Sequence, residues 1–393
     1  MNDAIGRGVL AAQGFRAAGV AGGLKEDGGL DVALVVNDGP TRHGAAVLTS
    51  NRVHAAPVSW TREVVSDGKV AAVVLNSGGA NACTGPQGHV DTQETAREVA
   101  TLINVPASDV AVCSTGLIGE PLNMSALIMG IHKAHAALGS DDALAAAQAI
   151  MTTDTVPKTA ERRLGSVTVG GMAKGAGMLA PGLATMLVVI TTDVRAESHE
   201  LNHVLGQACT ETFDRIDSDG CMSTNDAVIL MSSGASGSSV GGEISLAEVQ
   251  QLVTDVCADL AQQLIRDAEG ASKDIRIEVV GAATVDDAVT VGRSVARSNL
   301  FKCAIHGEDP NWGRVLSAVG TTDARFDPEE LGVAINGVWV AKKGAAAADR
   351  SLVDLSQRAV NVTVDLAAGN RTAAIWTNDL TAAYVHENSA YSS

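Results

Sequence analysis

The chain has 393 residues, of which 46% are hydrophobic and 19% charged, a balance that predicts a folded protein with a sizeable core and excludes general disorder. Its formal net charge of -17 argues against nucleic acid and anionic membranes as partners, whereas a small cationic substrate would be tolerated or attracted. The 6 cysteines contain no Cys-x-x-Cys pair, and no apolar run has the length expected for secretion or a membrane span, so we expect a reducing, cytoplasmic location.

Short valine-rich runs alternate with a helical pattern in the first third of the chain. The predicted strands lie at 31–36, 70–75 and 109–113, and a helix is predicted at 92–103. Further on, apolar positions at helical spacing predict an amphipathic helix over 246–265, which Gly270 would stop. Alternating apolar and charged residues over 275–279 predict a half-buried strand, and the small residues over 232–242 predict a surface loop or hinge. The sequence therefore predicts a layered α/β fold.

A hydroxyl and a glycine follow the third predicted strand. Ser114-Thr115-Gly116 could project a hydroxyl and a backbone N–H together from the carboxyl end of that strand, which is the geometry an oxyanion hole requires. A plain turn, with Gly116 present for its backbone freedom, is the alternative interpretation.

A glycine-rich loop ends at Ala184-Thr185, where an apolar strand over 186–190 begins. If the peptide bond between Ala184 and Thr185 were cut, Thr185 would carry its α-amine beside its own hydroxyl. That pairing is the nucleophile and base arrangement of enzymes with an amino-terminal threonine. Because threonine is β-branched and favours strands, an ordinary strand residue is the alternative.

Lys174 in this loop and Glu269 before Gly270 each have a functional and a structural interpretation. Lys174 lies among small residues, where a partly desolvated cation could lower the pKa of a nearby amine or hold a carboxylate; a solvated loop lysine is the alternative. Glu269 is predicted in the last helical turn before Gly270, where the helix dipole disfavours a carboxylate. A bound ammonium would compensate for this, and an exposed glutamate at a helix end is the alternative.

The motif KGAGMLAPGLATML, which contains Lys174 and Thr185, resembles the signature of the ornithine acetyltransferase (glutamate N-acetyltransferase) family. Further matching strings occur in the family's order along nearly the full chain: NSGGANACTG at 76–85, STGLIG at 114–119, MTTDT at 151–155, STND at 223–226, DPNWGR at 309–314, and the terminal ENSAYSS. A departure is Gly79, where many members have asparagine. The resemblance implies the two-domain α/β fold of this family, in which β-sheets are sandwiched between helix layers.

The resemblance also implies a reaction. The chain would cut itself between Ala184 and Thr185 into an α chain of residues 1–184 and a β chain of residues 185–393, with a domain boundary that need not coincide with the cut. Thr185 would then carry acetyl from N2-acetylornithine to L-glutamate, giving ornithine and N-acetylglutamate in arginine biosynthesis. No metal or other cofactor is implied, acetyl-CoA is a possible co-substrate, and the fragments are expected to assemble as α2β2.

Residue-by-residue matching assigns roles within this reaction. The resemblance makes Thr185 the nucleophile, and Thr115 and Gly116 the oxyanion hole. The residues that it implies for substrate binding are Thr152, Lys174, Thr185, Glu269, Asn388 and Ser393. Nothing local in Thr152, Asn388 or Ser393 would have singled them out.

A zinc metallopeptidase is the alternative function. His199-Glu200-Leu201-Asn202-His203 satisfies the His-Glu-x-x-His pattern, which places two zinc ligands one helical turn apart with a glutamate base. Position 209, where an extended motif requires a third histidine, is a cysteine. The apolar stripe of this helix would leave both histidines near its solvent side, and the segment lies outside the strings that carry the resemblance.

Overall fold

The computed structural model describes residues 6–139, 142–180 and 186–390. Within them, the strands in chain order are β1 (Phe15–Val20), β2 (Val32–Asn37), β3 (His43–Leu48), β4 (Ala72–Ser77), β5 (Val110–Thr115), β6 (Lys158–Leu164), β7 (Val167–Lys174), β8 (Leu187–Thr192), β9 (Ala227–Ser232), β10 (Asp274–Ala282), β11 (Gly332–Ile335), β12 (Val338–Lys342), β13 (Ala345–Ala346), β14 (Ala359–Asp365) and β15 (Arg371–Asn378).

The α-helices of the same residues lie between groups of these strands and after the last one. In chain order they are α1 (Ala56–Val64), α2 (Gly85–Ile103), α3 (Met124–Ala137), α4 (Ala143–Ala149), α5 (Ser198–Glu211), α6 (Leu246–Arg266), α7 (Val285–Ala296), α8 (Asn299–His306), α9 (Trp312–Val319) and α10 (Ala382–Ala390). None of the helices in the described part of the chain has the length and apolar character needed to cross a membrane.

Two sheets pack face to face. One is four-stranded, in the order β1-β2-β4-β5, and the other is five-stranded, in the order β3-β9-β8-β7-β6. Val35 and Leu75 of the first sheet share a core with Val189 and Ile229 of the second. Because successive side chains of a strand point to opposite faces, the neighbouring Leu34 belongs instead to the core under the outer helices. Strands buried on both faces explain the continuous valine-rich runs.

Helices cover the outer face of each sheet. Val99 of α2 and Ile131 of α3 pack on the four-stranded sheet, whereas Leu205 of α5 and Val253 and Leu260 of α6 pack on the five-stranded sheet. The resulting order of layers is helix, sheet, sheet, helix. The layered α/β fold with β-sheets between helix layers, predicted from the sequence, is confirmed.

A second α/β unit follows α6. Its six-stranded sheet has the order β13-β12-β11-β14-β10-β15. Ile277 of β10 shares its core with Val291 of α7, Phe301 of α8 and Val315 of α9. The expected half-buried strand over 275–279 is β10, in which Ile275, Ile277 and Val279 are buried.

Most predicted elements match the structure to within about two residues, and two expectations need correction. The helix expected at 92–103 is α2, which begins at Gly85 because Pro86 opens its first turn, where the missing N–H is harmless. The expected surface loop over 232–242 begins inside the protein, since Ser232 ends β9 and Ser233 is buried, with its hydroxyl donating to the Gln13 carbonyl at 2.6 Å.

The expected chain boundary at Ala184-Thr185 falls between two paired strands. β7 and β8 are antiparallel neighbours in the five-stranded sheet, and Lys174 at the end of β7 pairs with Leu187 at the start of β8. Residues on both sides of the boundary therefore belong to one sheet and one core.

Candidate active site

One cleft collects all six predicted site residues that the structure describes. This central cleft of about 630 Å³ is lined by Leu24, Lys25, Glu26, Asp27, Gly78, Thr115, Gly116, Leu117, Thr152, Thr153, Lys174, Gly177, Met178, Glu269 and Asn388. Its walls come from the ends of strands in both packed sheets, the loop after β7 and the carboxyl-terminal helix. Segments far apart in the sequence therefore meet at one place.

Thr115 and Gly116 lie at the carboxyl end of β5, where β5 runs parallel to β4. Gly116 has a φ of 130°, a conformation that side chains rarely adopt. A Cβ at this position would lie 2.5 Å from the Gly79 nitrogen, so only glycine fits the close approach of the two chain segments. The glycine is thus required for backbone freedom, as the turn interpretation states, and it also lies in the cleft beside the buried Thr115 hydroxyl.

Lys174 is the last residue of β7 and is only 1% exposed, so the alternative of a solvated loop lysine is wrong. Its Nζ donates to Thr115 Oγ1 at 3.2 Å. Burial lowers the pKa of Lys174, and the nearby Asp154 carboxylate is the largest influence that opposes this shift. An ammonium donates hydrogen bonds and accepts none, so the Thr115 hydroxyl hydrogen stays free to point elsewhere.

Asp154 joins two walls of the cleft and was not singled out by sequence reasoning. Its Oδ2 accepts from the Thr152 N–H at 3.0 Å, and its Oδ1 accepts from the Gly175 N–H at 2.6 Å and from Lys158 Nζ at 2.7 Å. Burial opposes ionisation of Asp154, but the positive charges of Lys174 and Lys158, together with the hydrogen bonds from Lys158 and Gly175, outweigh it and lower the pKa. The carboxylate therefore stays charged inside the protein.

Glu269 faces the loop after β7. A Cβ on Gly177 would lie 2.7 Å from the Glu269 carboxylate oxygens, so glycine permits this approach. Asn388 of α10 donates from Nδ2 to Glu269 Oε2 at 3.0 Å. The expectation that Glu269 occupies the last turn of its helix is wrong, since α6 ends at Arg266. The carboxylate belongs to the turn that follows, and its position is set by these contacts.

The loop 24–27 forms a further wall that the sequence did not reveal. The buried Asp31 carboxylate accepts from the N–H groups of Leu24 at 2.6 Å and Lys25 at 3.2 Å. Lys25 Nζ donates to the Met151 carbonyl at 2.8 Å, which ties this loop to the segment that carries Thr152. A buried carboxylate that organises several backbone donors has no local sequence signature, so only the fold identifies it.

Ala184, Thr185 and Ser393 lie outside the described residues. Before Ala184 in the chain, the Leu179 carbonyl accepts a hydrogen bond from the Ser218 N–H at 2.5 Å. Directly after Thr185 in the chain, the Met186 N–H donates to Asp226 Oδ1 at 3.0 Å. Burial raises the pKa of Asp226 well above its usual range. The chain is thus anchored by buried groups before and after the predicted cleavage site.

The ArgJ family model matches residues 16–393. The arginine biosynthesis bifunctional protein ArgJ of Streptomyces avermitilis is 62% identical over 98% of this chain and 100% of its own length. This chain belongs to the ArgJ family. The ArgJ protein of Mycobacterium tuberculosis is 52% identical over 98% of this chain and 97% of its own length. A solved ornithine acetyltransferase complexed with ornithine, from the same organism, is 50% identical over 46% of this chain and 96% of that chain, with a TM-score of 0.43. The family resemblance stated from the motifs is confirmed.

The helix that suggested a zinc site does not assemble one in this ArgJ family member. His199 and His203 are exposed on α5, whereas Cys209 is buried on the other face and burial raises the pKa of its thiol. The Glu200 carboxylate accepts from the Glu197 N–H at 2.8 Å and caps the helix. Across the described residues, no group of three or more histidine, cysteine, aspartate or glutamate side chains could hold a metal ion.

Proposed function

We propose that this chain is a self-cleaving acetyltransferase of arginine biosynthesis, which moves acetyl from N2-acetylornithine to L-glutamate and releases ornithine and N-acetylglutamate. The observation that carries the proposal is the meeting of Thr115, Lys174 and Glu269 in the central cleft, which the loop leading towards Thr185 also lines. These residues come from three distant segments, and the resemblance implied a role for each. Membership of the ArgJ family supports the same reaction.

The first step of the proposed sequence is self-cleavage. The precursor Thr185 hydroxyl oxygen bonds to the Ala184 carbonyl carbon, the carbon–nitrogen bond breaks, and the hydroxyl proton ends on the released amine. Water then hydrolyses the ester, giving chains of residues 1–184 and 185–393. The hydrogen bonds of Leu179 and Met186 support this step, because they hold the described residues on both sides of the scissile bond.

The second step is acetyl transfer. The new Thr185 α-amine accepts the hydroxyl proton while the oxygen attacks the acetyl carbonyl of N2-acetylornithine, and ornithine leaves with a proton on its amine. The Thr115 hydroxyl and the Gly116 N–H stabilise the oxyanion. Lys174 supports this role because it donates to Thr115 Oγ1 and leaves the hydroxyl hydrogen available. The α-amine of glutamate then attacks the acyl-enzyme and regenerates Thr185.

Substrate binding is proposed for the remaining residues. The Glu269 carboxylate lies in the cleft, where it can pair with a substrate ammonium. Thr152 and Asn388 line the same cleft, and the resemblance adds Thr185 itself and Ser393. Acetyl is exchanged between two amines, so the reaction needs no metal or nucleotide cofactor. Acetyl-CoA is the second acetyl donor to test, and an α2β2 assembly in the cytoplasm is part of the proposal.

Initial-rate kinetics test the proposed transfer. With N2-acetylornithine varied at several fixed glutamate concentrations, an acyl-enzyme mechanism gives parallel lines in double-reciprocal plots. Intersecting lines would contradict it, since they require both substrates to be bound together. Radiolabelled acetyl retained on the purified protein when glutamate is omitted would identify the acyl-enzyme directly.

A further inference from the structure

We infer that Asp154 is a positioning residue for acetyl transfer: its buried carboxylate joins the segments that carry Thr152 and Lys174 and supplies the negative charge that keeps Lys174 an ammonium. Asp154 then acts through Lys174 on the Thr115 hydroxyl. This inference rests on the proposed function of the central cleft. Asp154 does not line the cleft itself, so no direct contact with substrate is assigned to it.

The hydrogen bonds of Asp154 connect the two walls. The carboxylate side chain is fully buried and accepts from Thr152 N–H, Gly175 N–H and Lys158 Nζ. Thr152 belongs to the segment after α4, whereas Gly175 directly follows Lys174 at the end of β7. The hydrogen bonds from these three donors to the ionised carboxylate are charge-assisted, and such bonds are shorter and stronger than neutral ones. Asp154 therefore fixes the spacing between these walls.

Lys174 depends on a counter-charge because it is buried. The charged groups that face it are Asp154, Asp226 and Glu269, which favour the ammonium, and Lys158, which disfavours it. Burial raises the pKa of Asp226 well above its usual range, which makes this group a weaker counter-charge than Asp154, whose pKa is lowered. Glu269 is partly open to the cleft and is also a candidate partner of substrate. Asp154 is the principal permanent counter-charge.

The charge of Lys174 decides what the Thr115 hydroxyl can do. As an ammonium, Lys174 can only donate to Thr115 Oγ1, so the hydroxyl hydrogen remains free for an oxyanion. As a neutral amine, Lys174 could accept that hydrogen, and Thr115 would be lost as an oxyanion donor. Asp154 raises the pKa of Lys174, so removing its charge moves this loss to lower pH. The alkaline limb of the kcat profile should move in the same direction.

The test compares Asp154→Asn with Asp267→Asn in the full chain. Asp267 is a matched control because its Oδ2 accepts from the same Lys158 Nζ at 2.6 Å, but it is not among the groups that face Lys174. Both variants lose one buried negative charge beside Lys158. For each, kcat and KM for N2-acetylornithine are measured from acid to alkaline pH, together with the melting temperature and the extent of cleavage.

We expect Asp154→Asn to lower kcat at neutral pH by about 10²-fold, comparable to the loss of an oxyanion donor, and to move the alkaline limb to lower pH. Asp267→Asn should lose stability while it keeps the wild-type pH profile. Equal shifts in the two variants, or no shift in either, would overturn the inference. If the wild-type chain transfers no acetyl, both the proposed function and this inference fail. Wild-type transfer with an unchanged Asp154→Asn profile overturns this inference alone.

A second variant covers the case in which Asp154→Asn does not fold. Lys158 is the positive group that disfavours the Lys174 ammonium, so Lys158→Met should move the alkaline limb to higher pH, opposite to the effect of Asp154→Asn. A limb that stays in place in Lys158→Met would overturn the inference. A general loss of stability would lower activity at alkaline pH, so it cannot by itself move this limb to higher pH.

Discussion

The central cleft and helix α5 both carry residues that resemble an enzyme motif, but they differ in how those residues are brought together. In the cleft, Thr115, Lys174 and Glu269 come from distant segments, and Lys174 contacts Thr115 directly. On α5, His199 and His203 satisfy a short local pattern and face solvent without a third ligand among the described residues. A short sequence pattern often occurs by chance. Residues that are distant in sequence meet at one site only when the tertiary fold brings them together.

Thr185→Ala should have the largest effect, because the substitution removes the nucleophile that the proposed mechanism uses in both steps. The variant should remain a single chain, and acetyl transfer should fall by at least about 10³-fold. Thr185→Ser is the matched control, since it keeps a hydroxyl and should retain part of both activities. Transfer by a purified Thr185→Ala protein, measured as ornithine release, would break the assignment.

Thr115→Ala should lower kcat by about 10²-fold to 10³-fold with little change in KM, because an oxyanion donor acts only in the transition state. Thr115→Ser keeps the hydroxyl that receives the Lys174 hydrogen bond and should retain most of kcat. Steady-state rates for both variants check this prediction. A loss confined to KM would move Thr115 from the oxyanion hole to ground-state binding.

Glu269→Gln should raise the KM for N2-acetylornithine by about tenfold, because the neutral amide cannot pair ionically with a substrate ammonium. The amide keeps the size of the side chain beside Gly177 and the oxygen that accepts from Asn388. Glu329→Gln, at an exposed position remote in sequence from the cleft residues, serves as the control and should leave KM unchanged. An unaltered KM in Glu269→Gln would remove Glu269 from the binding site.

The double variant His199→Ala and His203→Ala should have the smallest effect. Both side chains are exposed, so the free energy of unfolding should change by no more than about 1 kcal/mol for the two substitutions together, and transfer should match the wild type. Incubation with a chelator before the assay should also leave the rate unchanged. Loss of transfer in either experiment would reopen a role for α5 in the chemistry.

Periodicity predicted much of the fold but only part of the site. The alternation over 275–279 and the helical spacing over 246–265 correspond closely to β10 and α6, because each pattern records which face of one element is buried. The packing of the two sheets against each other is a tertiary contact, so the pattern of a single strand or helix cannot predict it. The motif resemblance named six residues that meet in the cleft.

The residues that the sequence did not reveal act through tertiary contacts. Asp154 and Asp31 hold backbone groups of the cleft walls, and neither stands in a pattern with known spacing. The sequence around Lys174 is compatible with a solvated loop, but in the structure Lys174 ends β7 and is buried. The Glu269 expectation failed because α6 ends before the turn that carries the carboxylate.

Intact mass under denaturing conditions, with amino-terminal sequencing of any fragments, tests the central claim most directly. The account predicts two chains, one of them beginning Thr185-Met186-Leu187, and a single uncut mass for Thr185→Ala. A wild-type protein that remains one uncut chain of 393 residues while it transfers acetyl would contradict the claim that a free Thr185 amine is the base.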